Sequence, residues 1–258
     1  MSLHSLELWL IDKADFYNNA SFINDDPISI PHSFSKKNDI EIAAIFSATI
    51  AWGNRKAIIK SAKNLMNIMD NAPYQFISQC EDSDLEKLKD FVYRTFNSFD
   101  AISMCLGLKN IYLNHGGIEN VFSKPVIENS EANAFDAIEN FRNIMLSIPH
   151  EKRFEKHISS PLKGSAAKRL NMFLRWMVRK DDRGVDFGLW KSFPMSKLLI
   201  PLDLHSARVA RNIGILKRKQ TDAKAVLEVT DFCRKIDAND PAKFDFALFG
   251  YGVNEKKI

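Results

Sequence analysis

Apolar residues recur at helical spacing along nearly the whole chain, and nowhere in the first 150 residues do they alternate as a half-buried strand requires. A chain patterned this way must bury stripes rather than faces, so helices packed on helices, an all-α fold, are expected. At 258 residues and 45% hydrophobic content it can fill one large core or two small ones. No internal repeat or low-complexity tract interrupts it. No apolar run approaches the roughly 18 residues of a membrane span, and MSLHSLELWLIDKADF lacks the basic start and small-residue cleavage site of a secretion signal. A cytoplasmic protein without a membrane partner is the expectation.

Taken in order, residues 3–19 read as a first helix, and ASFINDDPISIPHSFSKK, broken by Pro27 and Pro31, reads as an extended connection and a domain boundary. Asp39 is placed to cap IEIAAIFSATIAW, and RKAIIKSAKNLMNIMDN follows after the break Trp52-Gly53-Asn54. DSDLEKLKDFVYRTF opens with acidic residues, as suits a helix dipole, and FDAISMCLGLKNIYLNHGG stops at Gly116-Gly117. EANAFDAIENFRNIML is one more helix, ended by Pro149. Cys80, Cys105 and Cys233 are odd in number, far apart and without CxxC spacing; buried thiols are expected, with no disulfide framework and no zinc or iron-sulfur site.

The second half carries the chemistry. HISSPLK reads as a loop, Gly164 permits a tight backbone path, and AAKRLNMFLRWMVR runs on as a helix. Ala166, Leu170, Phe173, Leu174 and Met177 share its core face. Lys168 falls on the other side, where at about 100° per residue Met172, Arg175 and Arg179 line up with it as a cationic row. After the long loop DDRGVDFGLWKSFPMSKLLIP, Asp203 stands as N-cap of LHSARVARNIGIL. TDAKAVLEVTDFCRKI and DPAKFDFALFGYGV form two last helices, and Asp245 and Phe249, four apart, share a face. Residues 151–219 hold 17 Lys and Arg against 6 Asp and Glu, whereas the whole chain is only +4. That concentration suits a phosphate-facing surface or, equally, a solvated basic face.

GSAAK with its helix, followed by PLDLHSARVAR, resembles the helix-hairpin-helix DNA glycosylases, whose hairpin reads G-x-G-x-K and whose later segment reads P-V-D-x-H-x-x-R. FSATIAWGNRKAIIKSAKNL is similar to the helix pair near the start of those enzymes, so the likeness runs over roughly residues 38–253. Lys168 falls on the nucleophile and Asp203 on the catalytic aspartate. Their separation of 35 residues is more like the archaeal 8-oxoguanine glycosylases than the bacterial endonuclease III type. On that comparison Arg175, Asp245 and Phe249 fall near the lesion pocket, with Trp52 as a further candidate. Lys163, Gly164, Ser165, Arg169, His205 and Arg208 would meet the DNA. The phrase KRLNMFLRWMVR is also similar to one in a bacterial family whose name conveys no activity.

The resemblance implies two helical lobes, residues 38–180 with the hairpin and residues 1–37 plus 181–258 with Asp203, and a DNA-binding cleft between them. It implies a monomer acting on double-stranded DNA with a flipped damaged base, most like 8-oxoguanine, through a Lys168 Schiff base that Asp203 assists, followed by β-elimination. No metal or organic cofactor enters that chemistry. Two departures keep alternatives open: Ala166 replaces the hairpin's second glycine, and Thr49-Ile50-Ala51-Trp52 stands where many relatives carry a gap-filling glutamine. The alternatives are a non-catalytic nucleic-acid-binding module of the same fold and a glycosylase for alkylated or RNA bases. Taken singly, Lys168 is an ordinary helix lysine, Asp203 a cap, Trp176 a core aromatic, and Trp52, beside a Gly-Asn turn, equally a core aromatic or a stacking platform; the sharper reading rests on the two segments occurring together.

Overall fold

The structure, a computed structural model, describes residues 2–254. Among them, α-helices and short 3-10 turns make up almost all regular structure, and the sole sheet is one small hairpin. The chain is therefore all-α in substance. The first helices are α1 (Leu3–Tyr17), α2 (Ser21–Asn24), α3 (Lys37–Thr49), α4 (Arg55–Ile68), α5 (Pro73–Gln79) and α6 (Asp82–Leu85). The hairpin β1 (Val92–Tyr93) and β2 (Phe96–Asn97) leads into α7 (Ser98–Asn114), α8 (Ile118–Glu128) and α9 (Ala134–Met145). The remainder is α10 (Lys168–Val178), α11 (Leu204–Asn212), α12 (Ala223–Ile236) and α13 (Phe244–Asn254).

Helix α3 is buried continuously from Ile40 to Thr49, so it is a core helix rather than an amphipathic one, and α10 packs against it. Near the other end, α1 lies along α13, and α13 along α11, so the two ends of the chain meet. Glycines make these approaches possible. A Cβ on Gly250 would overlap the Tyr17 ring, and one on Gly252 would stand 3.1 Å from the His205 carbonyl oxygen.

The structure departs from the sequence expectations in three stretches, each for a local reason. The connection over 20–37 is not extended: α2 and two 3-10 turns fill it, each turn led by a proline, Pro27 or Pro31, whose fixed φ suits a helical first position. Residues 82–96 begin as a helix but leave it after Leu88, because Val92, Tyr93 and Phe96 pair across a turn in which Arg94 takes φ +55°. Helix α8 was hidden by Pro125, which removes the backbone donor to Val121; the Asn140 side chain supplies one instead, 2.7 Å from that carbonyl. Asp39 lies within the first turn of α3 rather than capping it, and accepts from the Tyr74 N–H at 2.9 Å. The three cysteines are free and buried.

Candidate active site

The turn before α10 is set by Ser160 and Pro161. Their carbonyls accept from Ser165 at 3.1 Å and Gly164 at 2.8 Å, and Gly164 takes φ +87°. Glu139 of α9 anchors the turn through the Ser160 hydroxyl and the Leu162 N–H. Ala167 then adopts φ +44°, so α10 starts at Lys168, two residues later than periodicity indicates. Ser165 Oγ accepts from the Ala167 N–H at 3.1 Å and steadies that left-handed step. Lys163 and Gly164 are exposed.

Lys168 is the first residue of α10 and half-buried; its Nζ lies 3.5 Å from Met172 Sδ, and it forms no ion pair among the described residues. Asp203 caps α11 as expected, accepting from the Ser206 N–H at 2.8 Å. The Ser206 hydroxyl turns toward Asp245 Oδ1 at 3.5 Å, so one serine links two carboxylates from different helices. Asp245 is 4% exposed, and its carboxyl is pushed up to about 6. Burial is the main cause, opposed by Arg175 and reinforced by Asp203; the charge of Lys168 also bears on it. Asp203 and Asp245 are thus linked through Ser206, and the charge of Lys168, from a third stretch of chain, acts on the same buried carboxyl.

The predicted cationic row along α10 does not exist as a free surface. Arg175 and Arg179 are buried, both beneath the Phe246 ring, with guanidinium carbons 4.3 and 5.4 Å from its centroid. Arg175 reaches Asp245 at 2.5 Å and Asp186 at 3.3 Å; Arg179 reaches Asp181 at 2.6 Å and Asp240 at 2.9 Å. Helical periodicity sees one helix only, and the countercharges come from the 181–201 loop and the entry to α13. Burial would lower Arg175, but Asp186, Asp245 and Asp26 together hold it above its ordinary value.

Arg169 also turns inward. Its guanidinium donates to the Thr49 carbonyl and stands 4.9 Å from the Trp52 ring, and desolvation pulls its pKa down to about 10. Trp52 is half-buried, stacks with His157 at 5.9 Å, and its carbonyl accepts from Tyr93 Oη. Its ring packs on Arg169, the residue that follows Lys168 in α10. Phe249 is half-buried, edge-on to Phe22 and His205, with the Arg55 guanidinium 5.2 Å over its ring. His205 is exposed, and Arg208 donates to the Gly252 carbonyl at 2.6 Å. Arg211 braces the 218–221 turn, so the basic surface is thinner than the count of cations suggests.

Two members were missed from the sequence. Arg55 opens α4 behind its cap Asn54, and Asp26 caps the 3-10 turn at Pro27. The signal was present in Asp26-Pro27, a cap before a first-turn proline. A recess of about 330 Å³ lies beside the turn before α10 and is lined by Arg142, Lys156, Ser159, Ser160, Lys163 and Ser165. Among the described residues, no group of three His, Cys, Asp or Glu is placed to hold a metal ion, and no helix is long and apolar enough to cross a membrane.

The chain is a helical protein in which a lysine and an aspartate open two helices and the charges of both act on one buried carboxyl. Residues 26–254 match the family described as "Protein of unknown function (DUF2400)", and the chain belongs to that family. No curated protein and no solved structure gives a significant match.

Proposed function

We propose that the chain is a base-excision DNA glycosylase with lyase activity, in which Lys168 is the nucleophile, Asp203 its assistant, and an oxidised purine such as 8-oxoguanine the target. The observation that supports this reading is that Ser206 ties Asp203 to the buried Asp245, a carboxyl on which the charge of Lys168 also acts. Among the described residues Lys168 also has no ion-pair partner, and it sits at the positive end of α10, where an ammonium is least favoured.

The target nucleotide must leave the stack before its sugar can be reached, at a cost of a few kcal/mol that pocket contacts offset. The Lys168 amine attacks C1′ and the bond to the base breaks, the base departing with the electron pair and taking up a proton. The sugar ring opens to an iminium. Loss of a C2′ proton then expels the 3′ phosphate, and water releases the lysine. The Asp203 carboxylate stabilises the positive charge that develops on the sugar and shuttles protons. Lys163, exposed on its turn, and Lys156 beside it supply phosphate contacts without sequence preference.

Borohydride trapping on duplexes carrying 8-oxoguanine, uracil, an alkylated purine or an abasic site tests the proposal. A covalent adduct lost in Lys168→Ala and slowed by about 10²-fold or more in Asp203→Asn is expected. Salt-sensitive duplex binding with no adduct on any substrate would replace it by the binding-module reading, which Ala166 favours.

A further inference from the structure

A cavity of about 430 Å³ opens where the first turns of α3 and α8 meet the start of α5, the end of α7 and Ser192 of the 181–201 loop. None of the residues assigned to the proposed reaction lines it. Gly116 and Gly117, at φ +72° and +92°, turn the chain so tightly that a Cβ on Gly117 would stand 3.5 Å from the Tyr112 ring. Tyr74 and Tyr112 both line the cavity, their rings edge to face with centroids 5.0 Å apart.

Glu41 lines it too, although the residue is only 2% exposed. Its carboxylate accepts from Trp190 Nε1 at 2.6 Å and from Tyr112 Oη at 2.8 Å, one bond to each oxygen. Both donors are neutral, and each carboxylate oxygen has capacity for a second bond. The Lys37 ammonium stands 3.9 Å from Oε1 and donates to Glu119 instead. Glu119 also takes the Lys191 and Ser192 N–H groups, at 2.9 and 3.1 Å. Two carboxylates on one cavity thus share one ammonium, and the more deeply buried of them is the one left short. Burial accordingly pushes the Glu41 carboxyl up, against the bonds from Trp190 and Tyr112.

The surroundings define what would complete this carboxylate. A buried charge calls for an opposite one, and aromatic rings attract cations to their faces. A hard divalent ion wants six or more oxygen ligands in a tight shell, whereas here the space is far larger than an ion, and among the described residues no group of three His, Cys, Asp or Glu is placed to hold a metal. An organic cation fits both the volume and the tyrosine walls. It must carry N–H donors, because a quaternary ammonium would cover the rings and leave the Glu41 oxygens unbonded.

We propose that this cavity binds a small organic cation with N–H donors, an alkylammonium or guanidinium compound, whose charged end bonds Glu41 and packs against Tyr74 and Tyr112. The site does not depend on the glycosylase reading and stands or falls without it.

Calorimetric titration and thermal melts of the full chain test it, with 1,4-diaminobutane, agmatine, tetramethylammonium and inorganic phosphate as probes. One equivalent of diaminobutane or agmatine is expected to bind and to raise the melting temperature, with tetramethylammonium at least about tenfold weaker and phosphate without effect. Glu41→Gln keeps an oxygen for Trp190 Nε1 and should weaken amine binding at least about tenfold, while the exposed Glu86→Gln matches wild type. Tyr74→Ala removes one wall without touching the carboxylate and should weaken binding about threefold or more, so the inference stays testable if Glu41→Gln does not fold. Absence of saturable binding of either amine below about 10 mM overturns the inference. Wild-type affinity in folded Glu41→Gln or Tyr74→Ala does so as well, as does tetramethylammonium binding as tightly as the amines. Preferential binding of phosphate would make the cavity an anion site built on Lys37 and also overturns it.

Discussion

Arg175 Nη1 and Asp245 Oδ2 stand 2.5 Å apart, both nearly sealed from solvent, and they tie the helix that begins with Lys168 to the helix that presents Phe249. The pair holds α10 and α13 in register. Replacing only the cation leaves Asp245 and Asp186 buried without it, a situation that costs about 3–5 kcal/mol. Arg175→Met is therefore expected to lower the urea midpoint sharply. Asp245→Asn leaves a neutral group that still accepts from the guanidinium and should cost distinctly less. Equal losses in the two variants would mean that the ion pair is not what holds α10 to α13.

Arg169 and Lys163 were equal candidates for DNA contact, but their surroundings separate them. Arg169 satisfies the Thr49 carbonyl and packs on Trp52. Its loss in Arg169→Met should cost roughly 1–3 kcal/mol of stability and leave the salt dependence of duplex binding unchanged. Lys163 is exposed on its turn. Lys163→Ala should leave stability within about 0.5 kcal/mol and reduce the slope of log K against log salt by about 1. Equilibrium binding across a salt series, with melts of both variants, reads the contrast.

The contact between the chain's two ends depends on a missing side chain. Gly250 of α13 faces the Tyr17 ring of α1 so closely that a methyl group has no room. Gly250→Ala is expected to destabilise by about 1–3 kcal/mol despite the better helix propensity of alanine. Gly164→Ala gives a different comparison: nothing crowds its Cβ position, and only the φ of +87° opposes the change. Thermal melts of the two separate packing cost from backbone cost.

What could be read in the sequence was local. The cap at Asp203, the turn at Gly164 and the helical start near Lys168 follow from residue chemistry within a few positions, and the structure has them. What could not be read was partnership across the fold. Arg175 and Arg179 look like surface cations on a helical wheel, because nothing within α10 discloses Asp186 or Asp245. Asp26 could be read as a cap but not as a neighbour of distant cations, because the charges that act on it come from residues 55, 168 and 175. Helix α8 escaped because Pro125 breaks a rule locally that Asn140 repairs from another helix.

Two buried groups oppose each other in acid, and the sum conceals both. His157, buried beside Asp100 with Nε2 3.3 Å from its carboxylate, is pulled down to about 4, chiefly by desolvation. Between that value and its ordinary 6.5 the unfolded chain binds the extra proton, so this group's stabilisation is lost as pH falls through the window, up to about 3 kcal/mol. Asp245, raised from 3.8 to about 6, acts with the opposite sign. There the folded chain holds the extra proton, so stability falls as pH rises through that window. Wild-type stability between pH 4 and 6 should therefore vary little from these two groups together. Relative to wild type, His157→Gln removes the His157 effect and should tilt the profile toward lower stability as pH rises, whereas Asp245→Asn should tilt it toward lower stability as pH drops. Urea unfolding at half-unit pH intervals measures both changes in slope, and changes of the same sign in the two variants would refute the assignment.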